Sequence, residues 1–193
     1  MQATITALKL EARSDTQISD IIGLGLEEAI RSLYPTVSAK VITQAAQGYR
    51  EHFLTKDKTP SPLFDGTTVV LNTLKEAGYD LAIATGKSRR GLDKGLIDTG
   101  LKNHFPITRC ADETRSKPHP QMLEEILVDH NTETHKTLMI GDSEYDLQLA
   151  NNTKVDALAV SYGVHGLMRL LKEDPVGFID DIKQLPQWLI DHG

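Results

Sequence analysis

The sequence has a single cysteine, Cys110, so no disulfide can form within the chain. It has no apolar run long enough to span a bilayer and no secretory leader pattern, which makes the cytoplasm the expected compartment. Basic clusters are missing too: 21 Lys and Arg are interspersed among 27 Asp and Glu, for a formal charge of −6. That balance argues against nucleic acid or an anionic membrane surface as partner and favours a small substrate. Internal repeats and low-complexity segments are also absent. What remains is a chain of 193 residues, enough for one domain with a real core or a domain with a small insertion.

From Met1 to about Leu54 the apolar residues recur at spacings of three and four, as in Ile18, Ile21, Ile22, Leu26, Ile30 and Leu33, and no strand pattern interrupts them. Pro35 closes one helix and Ser38 is placed to cap the next. The polar, proline-bearing stretch from Lys56 to Pro62 reads as a boundary, giving a helical segment over 1–58 and a second unit over 59–193. Beyond it, helical stretches (67–77, 88–99, 118–130, 167–171 and 179–189) alternate with short strand-like runs (80–84, 107–110, 137–140 and 157–160). Alternation of this kind predicts a parallel sheet with right-handed crossovers.

Three of the predicted strand ends carry chemistry. The run from Leu138 to Gly141 ends in Asp142 and Ser143, and Asp146 follows one turn into a helix. Two hard oxygen anions at the carboxyl end of a strand suit Mg²⁺, although the same residues would serve equally as helix caps opposing the N-terminal dipole. Thr85, Gly86, Lys87 and Ser88 bring a hydroxyl, a glycine amide and a helix start to one point, an anion site or a plain turn. Ser116, Lys117 and Pro118 place an ammonium before the next helix. Thr85 Oγ1, Lys117 Nζ and the Asp142 carboxylate are expected to face one pocket near Gly23 to Leu26.

Together, IATGKS, SKPHP and GDSEYDLQLA resemble motifs II, III and IV of the haloacid dehalogenase-like hydrolases, in the phosphoglycolate-phosphatase-like branch with a helical cap. The resemblance covers nearly the whole chain, since IIGLGLEEAI looks like the cap loop and SYGVHG like the branch's C-terminal end. It implies an α/β fold, a Rossmann-like three-layer parallel sheet with a helical cap. It further implies that Thr85, Gly86 and Lys117 hold a phosphoryl group and that Asp142 and Asp146 hold or orient Mg²⁺. The implied activity is a Mg²⁺-dependent phosphatase of small phosphorylated metabolites.

The family's motif I, an aspartate nucleophile and a second aspartate two residues on, followed by Gly-Thr, does not occur in this sequence. Asp65-Gly66-Thr67 is a decoy: it follows the helical segment, Leu63 stands in the nucleophile's place, and the prolines before it exclude a central strand. It reads as the turn and cap of the helix from Thr67. His119 and His165 read as solvated side chains and do not replace the nucleophile. The expectation is therefore a phosphatase lineage without turnover in this polypeptide, explained by a shortened chain or a misplaced start. The alternative is a non-catalytic anion-binding or regulatory module. A phosphotransferase stays open, and a dehalogenase is disfavoured because the acidic pair would be idle.

In the family the motif I strand lies between the strands read here at 80–84 and 137–140. An empty slot there would leave about five backbone groups unpaired on each neighbour, at about 1 to 3 kcal/mol for each buried group, or about 10 to 30 kcal/mol in all. A whole domain is stable by only about 5 to 15 kcal/mol. The expectation is that the two strands close up and pair or that the chain does not fold alone, ahead of a segment from another copy filling the gap.

Overall fold

The structure, a computed structural model, describes residues 1–56 and 61–193, with nothing described of the Lys56 side chain. Four helices come first: α1 (Gln2–Ala7), α2 (Asp15–Ser19), α3 (Leu26–Leu33) and α4 (Ala39–Glu51), the last running into a π-helical turn over His52–Lys56. Helix α3 has Glu27 and Glu28 in its first turn and Arg31 in its last, complementing its dipole. Its Ala29, Ile30 and Leu33 pack with Ile42, Ala45 and Ala46 of α4 and with Ile5 and Ile21 into a core belonging to this segment alone. The boundary read between 58 and 59 lies outside the described residues.

After it come α5 (Thr67–Glu76), β1 (Ala82–Thr85), α6 (Arg89–Thr99), β2 (Ile107–Cys110), α7 (Gln121–Asp129), β3 (Leu138–Gly141), α8 (Glu144–Thr153), β4 (Asp156–Val160), α9 (Leu167–Leu170), β5 (Gly177–Ile179) and α10 (Leu185–His192). The fold is the α/β, Rossmann-like arrangement expected, with every strand pair parallel. Helix α6 has the sequence's own punctuation, Ser88 Oγ accepting from the Gly91 amide at one end and Gly100 in the left-handed region at the other. Strand β5 was missed. Ile179, Ile182, Leu185 and Leu189 have helical spacing, but Gly177, Phe178 and Ile179 pair with Leu158, Ala159 and Val160, and tertiary pairing overrides the local pattern.

The strands form two separate sheets, β1-β2 and β3-β4-β5. Of the outcomes expected for the two strands, direct pairing of β1 with β3 is not seen among the described residues, and helical layers pack over both strands. On one face Leu123, Ile126 and Leu127 of α7 join Leu147, Leu149 and Ala150 of α8 in a cluster that carries Ala82 and Ala84 of β1 as well as Met139 of β3. On the other, Val70 and Leu74 of α5 carry Leu81, Leu138 and Ile140. Pairing β1 with β3 would require both layers to contract. The anticipated cost of the gap also falls away, because β1 and most of β3 are only half-buried and border an open cavity of about 920 Å³. Their free backbone groups are not sealed from water, so the penalty for buried unpaired groups does not apply in full.

Candidate active site

Thr85, Gly86, Lys117, Asp142 and Asp146 all line that one cavity. Thr85 and Gly141 close parallel strands, so the residues that follow them emerge at the same edge, where doubly wound sheets build their sites. In the turn after β1, Thr85 Oγ1 accepts from the Lys87 amide at 3.2 Å. A Cβ on Gly86 would lie 2.5 Å from the Leu24 carbonyl oxygen and 2.8 Å from that of Gly23, so only glycine lets the helical segment's loop approach so closely. Gly23 itself has φ +111°, and the Gly25 amide donates to Ser116 Oγ at 2.6 Å. The Gly23 to Leu26 loop therefore sits directly against the strand-end turns.

Lys117 is 5% exposed and its Nζ donates to Asp146 Oδ1 at 2.5 Å. Asp146, also 5% exposed, accepts through Oδ2 from the Ser143 amide (3.1 Å) and Ser143 Oγ (2.6 Å). Both carboxylate oxygens thus have partners, and Asp146 acts here as the counter-charge that aims the lysine. The sequence reading set Asp142 and Asp146 together as Mg²⁺ ligands, whereas the structure engages the second with Lys117. Asp142 is tied less tightly: Oδ2 accepts from the Val164 amide at 3.0 Å and its carbonyl oxygen accepts from the His165 amide at 3.0 Å. Among the described residues no three His, Cys, Asp or Glu side chains gather as a metal cage. Mg²⁺ needs none, since it takes one or two carboxylates and completes its shell with water and phosphate oxygens. Asp142, half-buried on the cavity wall, fits that requirement.

The surroundings fix charge states. Burial pushes the Tyr162 hydroxyl up to about 12, with the Asp181 and Asp142 carboxylates adding to it, so this cavity residue stays neutral. Burial likewise raises the Cys110 thiol to about 12, which leaves it an unreactive core residue. The Arg169 guanidinium bonded to Glu144 holds that carboxyl below its ordinary range. Arg169 also reaches Asp20 at 2.6 Å, and Tyr145 donates to the Asp20 carbonyl at 3.0 Å, so one cluster ties α8 and α9 to the helical segment.

His165 is not solvated as expected. It is 3% exposed, and its Nδ1 accepts from the Glu144 amide at 3.0 Å. His119 is half-buried, its Nδ1 accepting from the Gln121 amide. Asp65 is the decoy the sequence suggested: it faces solvent beside Lys183, and Gly66 rather than Asp65 precedes α5. Gly163, Asp20 and Arg169 were not singled out beforehand. Gly163 had a signal in the SYGVHG string, while the other two gave none because their partners lie 20 or more residues away.

A family model for haloacid dehalogenase-like hydrolases matches residues 1–160. The chain belongs to that family. This haloacid dehalogenase-like hydrolase is 29% identical over 192 residues to the probable phosphatase IndB of Dickeya dadantii, covering 96% of this chain and 84% of that one. It is 30% identical over 158 residues to the pyrophosphatase PpaX of Halalkalibacterium halodurans (81% and 71% covered). With the phosphoglycolate phosphatase of Vibrio cholerae it shares 26% over 187 residues (93% and 83% covered). The solved structure of a predicted phosphatase from Clostridium acetobutylicum superposes with a TM-score of 0.88 at 20% identity, covering 98% of this chain and 88% of that one. A haloacid dehalogenase-like family hydrolase from Streptococcus pneumoniae gives 0.82 at 21%, with 96% and 86% covered. These two likenesses show the shared fold.

Proposed function

We propose that this chain carries the phosphoryl-holding half of a Mg²⁺-dependent phosphatase for small phosphorylated metabolites, in the cytoplasm. The observation that supports it is the convergence of Thr85, Gly86, Lys117 and Asp142 on one cavity. The Gly86 amide and Thr85 hydroxyl sit in the turn between β1 and α6, on the side of the positive end of that helix's dipole, which favours an anion. Lys117, buried and aimed by Asp146, sets a positive charge toward the charge that develops on the phosphoryl oxygens. Mg²⁺, when held by Asp142, supplies further positive charge to those oxygens. The helical segment's loop over Gly23 to Leu26 forms the wall nearest the site and so bears on which substrate enters.

The sequence has no Asp-x-Asp-Gly-Thr, and among the described residues no aspartate stands between β1 and β3. Loss of a nucleophile from a concerted site costs about 10⁶ in rate, so this polypeptide alone is expected to bind phosphate without measurable turnover.

Calorimetric titration with orthophosphate, with and without Mg²⁺, tests the phosphoryl site, alongside hydrolysis of p-nitrophenyl phosphate. The double variant Lys117→Met, Asp146→Leu removes the charge without leaving a carboxylate buried alone. Saturable, Mg²⁺-enhanced binding is expected, weakened about tenfold or more in the double variant, since a charged hydrogen bond contributes about 1.5 to 3 kcal/mol. Binding that ignores both Mg²⁺ and the double substitution would rule the site out.

A further inference from the structure

Three successive residues of the loop between β4 and α9 meet Asp142. Gly163 passes so close that a Cβ there would overlap the Asp142 side chain. The Val164 amide donates to Asp142 Oδ2 and the His165 amide to its carbonyl oxygen, each at 3.0 Å. From Ser161 to Gly166 one side chain is buried, that of His165, at 3% exposure. Its Nδ1 lies 3.0 Å from the Glu144 amide, and an amide can only donate, so Nδ1 is the acceptor. Glu144 is a fixed post: it opens α8, and its carboxylate binds the Arg169 guanidinium at 2.8 Å.

We propose that the His165 imidazole is a positioning residue for a cation at Asp142. It anchors residues 163–165 to the start of α8, and the anchored loop holds Asp142 Oδ2 through the Val164 amide, leaving Oδ1 for the metal. The inference rests on the reading of Asp142 as a Mg²⁺ ligand and adds the group that sets its carboxylate in place. The ring does not line the cavity, so it acts through Asp142 and not on the substrate. Packing does not account for a histidine at this position. Its Nε2 is buried with no hydrogen-bond partner among the described residues, and a buried polar atom left unpaired is destabilising. An apolar side chain would fill the space beside the Tyr145 ring without that cost. What the imidazole supplies instead is an acceptor two bonds beyond Cβ, aimed at an amide that the hydrogen bonds of α8 leave without a partner. Both backbone tethers to Asp142 lie within one residue of this anchor, so its loss releases both.

The test compares His165→Leu, which removes the acceptor, with His165→Asn, whose Oδ1 takes the place of Nδ1. His165→Gln keeps a polar side chain but carries its acceptor one bond too far, and should behave as leucine does. Amide hydrogen exchange on the whole chain should show the Val164 amide exchanging about tenfold or more faster in the leucine and glutamine variants, with Leu158 and Ala159 of β4 unchanged and with asparagine restoring the slow rate. Titration with Mn²⁺, followed by electron paramagnetic resonance, should show affinity weakened about tenfold or more by leucine and glutamine and kept by asparagine. An unchanged Val164 rate in the leucine and glutamine variants overturns the proposal, as does failure of asparagine to restore it. Faster exchange spread evenly over β4, α8 and the loop also overturns it, since the ring would then be a helix cap and nothing more. Absence of Mn²⁺ uptake by the unsubstituted chain would overturn the phosphatase reading instead, and the exchange rates decide the anchor in either case.

Discussion

Replacing Asp146 by asparagine is expected to lower the unfolding free energy by about 3 to 5 kcal/mol, because it leaves the Lys117 ammonium buried without a counter-charge. The side chains of Lys117 and Asp146 are 6% and 8% exposed, so water cannot take over the lost partner as it does for a surface pair. Asparagine keeps the shape of the side chain and an acceptor for Ser143, which isolates the charge from the packing and from the cap of α8. Removing both charges should be far milder, since a buried pair replaced by apolar groups of similar volume is often close to neutral. Urea unfolding of Asp146→Asn and of the double variant Lys117→Met, Asp146→Leu measures this. A loss below about 1 kcal/mol for the single substitution would mean that the pair is hydrated and that Asp146 does not hold the lysine.

Gly163→Ala should cost about 1 to 3 kcal/mol and abolish Mg²⁺-dependent phosphate binding. A Cβ at position 163 would stand 2.0 Å from the Asp142 Cβ and 2.4 Å from its Oδ2. The nearest atom sits at the root of the Asp142 side chain, so no rotation at the far end relieves the clash. Either the carboxylate or the loop must move, and the loop's Val164 and His165 amides are what tether Asp142. Unfolding in urea gives the stability term, and orthophosphate titration of the folded variant gives the other. Phosphate affinity equal to that of the unsubstituted chain would remove Asp142 from the site.

The strand ends were legible because their chemistry is local: Thr85, Lys117 and Asp142 each sit beside the glycine, proline or cap that marks the turn. Helices α3, α4, α6 and α8 were legible from spacing and capping residues. What escaped the sequence depends on contacts across long separations. The pairing of Lys117 with Asp146 spans 29 positions, and nothing near Asp146 distinguishes a metal ligand from a counter-ion. Strand β5 is three residues long and exists through its ladder to β4. His165 is buried because the Glu144 amide and the Tyr145 ring meet it, 21 and 20 positions away. Direct pairing of β1 with β3, one of the outcomes expected from the sequence, is not seen among the described residues, where β1 pairs with β2 and β3 with β4 and both border a cavity.

The account's central claim is that Thr85, Gly86, Lys117 and Asp142 form one phosphoryl site on this chain. Diffraction from crystals of the chain grown with Mg²⁺ and soaked in tungstate, a heavy analogue of phosphate, tests it most directly through the anomalous signal of tungsten. The account predicts the anion within hydrogen-bond reach of Thr85 Oγ1, the Gly86 amide and Lys117 Nζ, with a cation on Asp142. A tungstate bound elsewhere, with Lys117 still closed onto Asp146 and that pocket holding only water, would contradict it.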